Sequence, residues 1–356
     1  MSERMTSMRT VDIDPIETAR LVGQLFVSHG ASEHNARAVA DHLVESDRLH
    51  LPSHGLMRVT QYLKEIAKGQ LVPDAEPTVV GSLDTVRHVD GHEGFGQVAG
   101  LFAVDQLASL AAERGTAFVT VRNVQHTGRL GAYTENLAKQ GYVVLAFASG
   151  APRFHRMVPF GGKDGRMSTN PMAWAAPTPD GFISADFSTS AAPEGKIRVL
   201  HGAGQPAPSD AITDSEGRMT TDTALFYGGP DGDPAPGSLL PLGGSVFGHK
   251  GYALALLSEC LSTVLAGDRS DVGEGRGNNL ALMAIRGDAE LAERVGDLKA
   301  YMKSSRPVTA GRDVLVPGEP ERRGYSETGP LTLPEFVLEG LNEELVAVGL
   351  KPAATV

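Results

Sequence analysis

The chain has 356 residues, 41% of them hydrophobic, and a formal net charge of -11. That length can bury two or three cores, and the acidic balance argues against nucleic acid or an anionic membrane surface as partner. A single cysteine, Cys260, excludes an intrachain disulfide and, within an apolar helical run, reads as a packed thiol in a reducing compartment.

No stretch has the length and apolarity of a membrane span and the N-terminus lacks a signal pattern, so a cytoplasmic protein is expected. Residues 1–12 are polar and read as loose. From Asp14 the spacing of Leu21, Val22, Leu25 and Phe26 predicts a helix with Gly30 just past its end. A second helix begins after Ser32, turning Val39, Ala40, Leu43 and Val44 inward. The stretch Leu51–Arg58, LPSHGLMR, carries the chemistry of this part. Pro52 ends the second helix, and Ser53 can cap a third from about His54 to Lys68, with His54 and Arg58 one turn apart on one face. An imidazole that titrates near neutrality beside a rigid carboxylate fork suits a small acid substrate, which an acidic protein must meet with a local cation. A solvated helix start is the alternative.

Short strands at Thr78–Val80 and Val86–Val89 precede Gly91–Gly100, GHEGFGQVAG, whose glycines imitate a dinucleotide fingerprint. The next strand, Thr116–Val121, ends in Arg122 and Asn123 and offers no acid to a ribose, so a tightly packed helix start is expected instead of a Rossmann unit. His126 lies in the connection to the following helix, where it either acts in function or satisfies a backbone carbonyl. Tyr142–Ala148 reads as a strand covered on both faces, and a bend at Asn170 leads into another strand. Past Asp186, the hydroxyls of Ser188, Thr189 and Ser190 either meet phosphate or ribose oxygens or form a plain polar loop. Residues 201–237 read as a surface excursion. Gly243–Gly267 predicts a long buried helix whose positive end, with Lys250 beside it, faces a cleft and suits an anion. A last strand at Asn279–Ile285, helices at Leu291–Met302 and Leu333–Val348, and a proline-braced loop at Val316–Glu321 complete the chain.

Metal chemistry is set aside, because Pro52 breaks the helix that the spacing of His50 and His54 would need. The nucleophile-elbow pattern GxSxG is absent. Lys196 or Lys250 leaves a Schiff-base lyase as the rival class, and a catalytically dead dimeric scaffold is a weaker one.

Taken in order, SHGLMR (53–58), QHTGRLGAY (125–133), VPFGG (158–162), TNP (169–171), DFSTS to GK (186–196), GHKGYALALL (248–257) and PGEPE (317–321) resemble the malate/L-lactate dehydrogenase family that lacks a Rossmann fold. The resemblance implies an α/β protein of the sulfolactate dehydrogenase type. A helical domain formed by both chain ends (1–75 with 288–356) would join a non-Rossmann mixed-sheet cofactor domain (76–287). It implies hydride transfer between a nicotinamide and C2 of a small 2-hydroxy or 2-oxo acid, or reduction of a cyclic imino acid. NAD is the expected cofactor and NADP the alternative; the partners implied are a small anionic carboxylate and a second copy of the chain. His54 and His126 match the histidines at the reacting carbon, with Ser53 beside them, and Arg58 matches the carboxylate grip. Ser149, Asp186, Ser188, Thr189, Ser190, His249, Lys250, Gly318, Glu319 and Pro320 match cofactor contacts, and no metal is implied.

Overall fold

The computed structural model describes residues 9–229, 236–268, 277–323, 325 and 329–356. Of the stretch expected to be loose, residues 1–8 lie outside the described residues, and Thr10–Ile13 form a strand, β1. Helix α1 (Pro15–Ser28) follows, its first amides held by the Asp14 carboxylate, and α2 (Glu33–Arg48) begins on the Ser32 hydroxyl. Leu21, Leu25 and Phe26 share a core with Val39, Ala40 and Leu43, as their spacing requires.

The third helix departs from expectation. Two 3-10 turns, Pro52–His54 and Leu56–Arg58, precede α3 (Val59–Ala67), and Ser53 makes no capping bond. The cause is Asp47, buried on α2, whose carboxylate accepts the Leu56 N–H at 2.7 Å and packs against Gly55, where any side chain would overlap it. Gly55 is extended, so the turn breaks there and His54 and Arg58 are set by loop geometry, not by one helical face. Burial pushes the Asp47 carboxyl up to about 7, against the pull of the Leu56 N–H. A carboxyl raised on folding contributes most below its unfolded pKa, and the contribution is lost as pH rises through the folded value. Asp47→Asn keeps an oxygen for Leu56, so its melting temperature relative to the parent is expected to rise between about pH 5 and about pH 8. Thermal melts at both pH values check this, and an unchanged gap would show that Asp47 does not titrate there.

The sheet strands follow: β2 (Thr78–Ser82), β3 (Val86–Gly94), α4 (Gly96–Arg114), β4 (Thr116–Val124), α5 (Gly131–Ala138), β5 (Tyr142–Gly150), β6 (Met172–Thr178) and β7 (Gly181–Phe187). Next come α6 (Glu194–Gly202), β8 (Ile212–Thr213), β9 (Met219–Thr220), α7 (Thr223–Tyr227) and β10 (Ser238–Leu239). The chain then forms α8 (Gly244–Glu259) with a π-helical turn at Cys260–Val264, β11 (Asn278–Arg286), α9 (Leu291–Lys303), β12 (Leu331–Pro334) and α10 (Glu335–Ala347). Seven strands make one mixed sheet in the order β2-β3-β4-β11-β5-β6-β7, parallel only between β3 and β4. Strand β11 enters between β4 and β5, which makes both interior and accounts for the continuous apolarity of Tyr142–Ala148.

Strand β11 is not the last, because β12 pairs antiparallel with β1 and ties the two chain ends together. One core accordingly joins residues 13–71 with 331–353, while α9 lies against β6, where Lys299 bonds Asp180 at 2.7 Å and Gly296 faces the Pro179 ring. Contacts of the expected C-terminal segment are therefore divided: α9 meets the sheet, whereas β12 and α10 meet the helices. The described part of the excursion, 201–229 and 236–237, is also more structured than its composition implies, and residues 230–235 lie outside the described residues. Ala207, Ala211, Ile212 and Phe226 are buried with Met157, Ile197 and Leu239, a core too sparse to leave a period.

Helix α8 is buried on one side only. Gly244, Gly248, Gly251, Ala255 and Ser258 face the body, and these small residues bring the helix close, so Val246, Leu257, Cys260 and Val264 are exposed. This corrects the expected full burial and the expected packed thiol. Among the described residues no helix is long and apolar enough to cross a membrane, and no group of three metal-ligating side chains is found.

Candidate active site

The turns that follow Pro52 bring Ser53, His54 and Arg58 to one wall. Arg58 donates from Nε to the Ser53 carbonyl at 2.6 Å and from a terminal nitrogen to Gln61 Oε1 at 2.5 Å, and Gln61 is fixed in turn by Glu65 at 2.9 Å. A guanidinium has five N–H donors, so three are left without a protein partner among the described residues. Burial and the Arg58 charge press the His54 imidazole down to about 3, and its Nδ1 is buried with no hydrogen-bond partner among the described residues. Opposite Ser53 lies Gly195, where a side chain would come 3.2 Å from the serine Cβ, so the start of α6 closes this side.

His126 comes from the loop between β4 and α5. Its ring lies 5.4 Å from that of His54 and nearly parallel, at 8°. Burial, then the Arg58 charge, holds it well below the ordinary histidine range. Its Nδ1 is 2.6 Å from the Tyr62 hydroxyl on α3, and the Tyr62 oxygen accepts from the Gln97 amide at 2.7 Å. Tyr62 and Gln97 are the site residues the sequence concealed. A tyrosine on the apolar side of a short helix reads as core, and Gln97 sits in a glycine-rich run that reads as packing.

Gly96 explains that packing, because a Cβ there would come within 2.6 Å of the Gln125 and His126 carbonyls. The helix start is pressed against the loop that carries His126, and no phosphate space is left. Gly96→Ala is expected to cost about 1–3 kcal/mol of stability and to lower kcat by moving His126, whereas Gly340→Ala, with nothing within 4 Å, does neither. Urea melts and steady-state kinetics of both variants check the pair; a Gly96→Ala enzyme with parental kcat would show that the loop yields freely.

The same loop is anchored by charge. Arg129 makes a two-pronged pair with Glu135 at 3.0 Å for each bond, and its backbone N–H donates to His42 Nε2 at 2.9 Å. Glu135 also accepts from Ser184 at 2.9 Å and pairs with Arg322 at 2.9 Å, linking α5, β7 and the segment near 322. Asp186 is exposed, and its carboxylate accepts the Gly131 N–H at 2.8 Å.

A mixed sheet, a parallel pair of histidines and an arginine with free donors thus lie in one molecule. A profile of the malate/L-lactate dehydrogenase family matches residues 13–341. The chain belongs to the malate/L-lactate dehydrogenase family. L-lactate dehydrogenase of Cupriavidus necator is 35% identical over 295 residues, covering 80% of this chain and 82% of its own. Delta(1)-pyrroline-2-carboxylate/Delta(1)-piperideine-2-carboxylate reductase of Pseudomonas aeruginosa is 31% identical over 331 residues, covering 92% and 87%. The solved malate dehydrogenase of Pyrococcus horikoshii superposes with a TM-score of 0.85 at 27% identity, over 96% of this chain and 97% of that one. This malate/L-lactate dehydrogenase family member is an oxidoreductase with the mixed α/β fold of those structures.

The residues matched to cofactor contacts differ in how free their side chains are. Ser149 is buried and its hydroxyl is taken by Ser262, at 2.7 Å, and Thr263. Thr189 donates to the Thr169 and Asn170 carbonyls, and Ser190 to the Ala192 carbonyl and Ser188, so only Ser188 of the three is half-exposed. His249 and Lys250 are exposed on the first turns of α8. Gly318 and Glu319 line a recess of about 390 Å³ together with Phe182, Lys299 and Arg322, and Pro320 follows them in the same turn. Glu319 there is held by Lys303 at 2.6 and 2.8 Å, which keeps its carboxyl below the usual range.

Proposed function

We propose that this protein moves a hydride between nicotinamide and C2 of a small 2-hydroxy or 2-oxo acid. The observation that carries the reading is His54, its Nδ1 unpartnered, face to face with His126 and beside an Arg58 that keeps three free donors. Family membership implies the nicotinamide, which supplies the hydride when bound. The donor set fits such a group at the ring edges. A further flat ring between the two imidazoles would need about 7 Å, two contacts of about 3.5 Å, and 5.4 Å is too little. His249, Lys250, Ser188 and the Gly318–Pro320 turn would hold the rest of the cofactor. NAD is proposed with NADP as the alternative, since a 2′-phosphate needs an uncommitted cation. Near that turn Lys299, Lys303 and Arg322 are paired with Asp180, Glu319 and Glu135, while Arg323 on the same recess makes no ion pair among the described residues.

Arg58 grips the substrate carboxylate through its remaining edge, and His54 exchanges the hydroxyl proton. Ser53, whose carbonyl positions Arg58, sets the grip. A cyclic imino acid, favoured by the likeness to the Pseudomonas aeruginosa reductase, would use the same grip and proton. The lyase alternative loses support because Lys196 and Lys250 are exposed, whereas a Schiff-base lysine needs a desolvated pocket. The test is a panel of 2-oxo acids and cyclic imines with NADH and NADPH, following reduced-cofactor absorbance. Consumption of NADH with at least one 2-oxo acid is expected; none with any compound overturns the reading.

We also propose that a second copy of the chain covers α8. Val246, Ala253, Leu257, Cys260 and Val264 form one exposed stripe at helical spacing, an apolar surface that a monomer rarely leaves open. Leu257→Arg is expected to shift sedimentation from dimer to monomer and to speed reaction of Cys260 with a thiol reagent. A parent that sediments as a monomer would contradict this.

A further inference from the structure

We propose that Gln97 is a positioning residue that fixes which nitrogen of His126 carries the proton. The inference rests on the dehydrogenase reading only for its consequence in turnover; the assignment itself stands on geometry. Gln97 is fully buried at the start of α4, and its amide nitrogen donates to the Tyr62 oxygen at 2.7 Å. Tyr62 is buried too, and its hydroxyl lies 2.6 Å from His126 Nδ1. With the amide donating to the phenol oxygen, the phenol's own proton has one place to go, His126 Nδ1, which then accepts. A neutral imidazole has a single N–H, so the proton sits on Nε2.

The remaining amide atom, Gln97 Oε1, is buried without a partner among the described residues. This orphan identifies the preferred orientation. Rotating the amide would let Tyr62 donate to Gln97 and accept from His126 Nδ1–H, but would leave both amide N–H groups without a partner where the present orientation leaves one N–H and the oxygen. Unpartnered buried N–H groups are rarer and costlier than an under-satisfied carbonyl. The chain Gln97–Tyr62–His126 therefore points one way, and His126 offers an N–H to the reacting oxygen. His54, whose Nδ1 has no such lock, is the ring left to take up or release a proton.

The test is nitrogen NMR of the full-length protein labelled with ¹⁵N-histidine, with His126→Asn used only to assign the signal. The parent should show a bare Nδ1 and a protonated Nε2. Gln97→Met, close in shape but without the donor, and Tyr62→Phe should both bring up the Nδ1–H form, and Gln97→Met should lower kcat more than it changes KM. A wrong tautomer can cost orders of magnitude in kcat, so a loss of at least about 10-fold is expected. A parent carrying its proton on Nδ1 overturns the proposal, as does a folded Gln97→Met protein whose His126 signal is unchanged. If Gln97→Met fails to fold, the parent spectrum alone decides. The expected tautomer in a protein that turns over no acid would support the Gln97 assignment while the dehydrogenase reading failed.

Discussion

Arg58→Lys is expected to lower kcat/KM for a small 2-oxo acid by about 100-fold, roughly 3 kcal/mol of lost transition-state stabilisation. The reason lies in donor geometry. Arg58 already spends one N–H on the Ser53 carbonyl and one on Gln61, yet still has a planar edge for a carboxylate. A lysine ammonium has three donors on one atom, so holding Ser53 and Gln61 leaves it no two-pronged grip. Both KM and kcat should suffer, because the carboxylate is bound less tightly and the reacting carbon is less well aimed. A variant that keeps the parental kcat/KM would show that the carboxylate binds elsewhere.

His54→Asn is expected to lower kcat by about 10²–10⁴-fold, the usual contribution of a positioned acid or base. The pH profile adds a sharper expectation. In the free protein the His54 imidazole is held at about 3, first by burial and then by the charge of Arg58. A bound carboxylate neutralises Arg58 and adds a negative charge nearby, which removes one of the forces against the imidazolium. In the oxidation of a 2-hydroxy acid, where His54 must be neutral to take the proton, the acid limb of kcat, which reports the complex, should therefore lie at higher pH than that of kcat/KM, which reports the free enzyme. Coincident limbs would remove His54 from the proton step, as would a His54→Asn enzyme with parental kcat.

How far the sequence reveals this site is clearest in the turn at 51–58. Pro52, His54 and Arg58 announce themselves locally, and the structure brings His54 and Arg58 together with His126. Their geometry was not legible, because it is imposed by Asp47, which reaches Leu56 from the preceding helix and displaces the helix start to Val59. Gly96 was legible, since a glycine with no ribose-binding acid downstream argues for packing. Tyr62 and Gln97 were not, since their roles depend on contacts 35 and 64 residues apart in sequence. The exposed face of α8 was hidden for a related reason: an apolar helix reads as buried, and only the small residues on its inner side reveal how it sits. Residues 10–13 show the same limit, because a polar strand gains its identity from a partner more than 300 residues away, where Thr332 bonds Asp12.

Hydride transfer is the central claim, and NADH deuterated at nicotinamide C4 tests it most directly, with turnover of a 2-oxo acid in ordinary water and product examined at C2. Deuterium retained at C2 in one stereochemical sense is the predicted result. A product whose C2 hydrogen comes from solvent would contradict it, and would leave the His54, His126 and Arg58 assembly in need of another reaction.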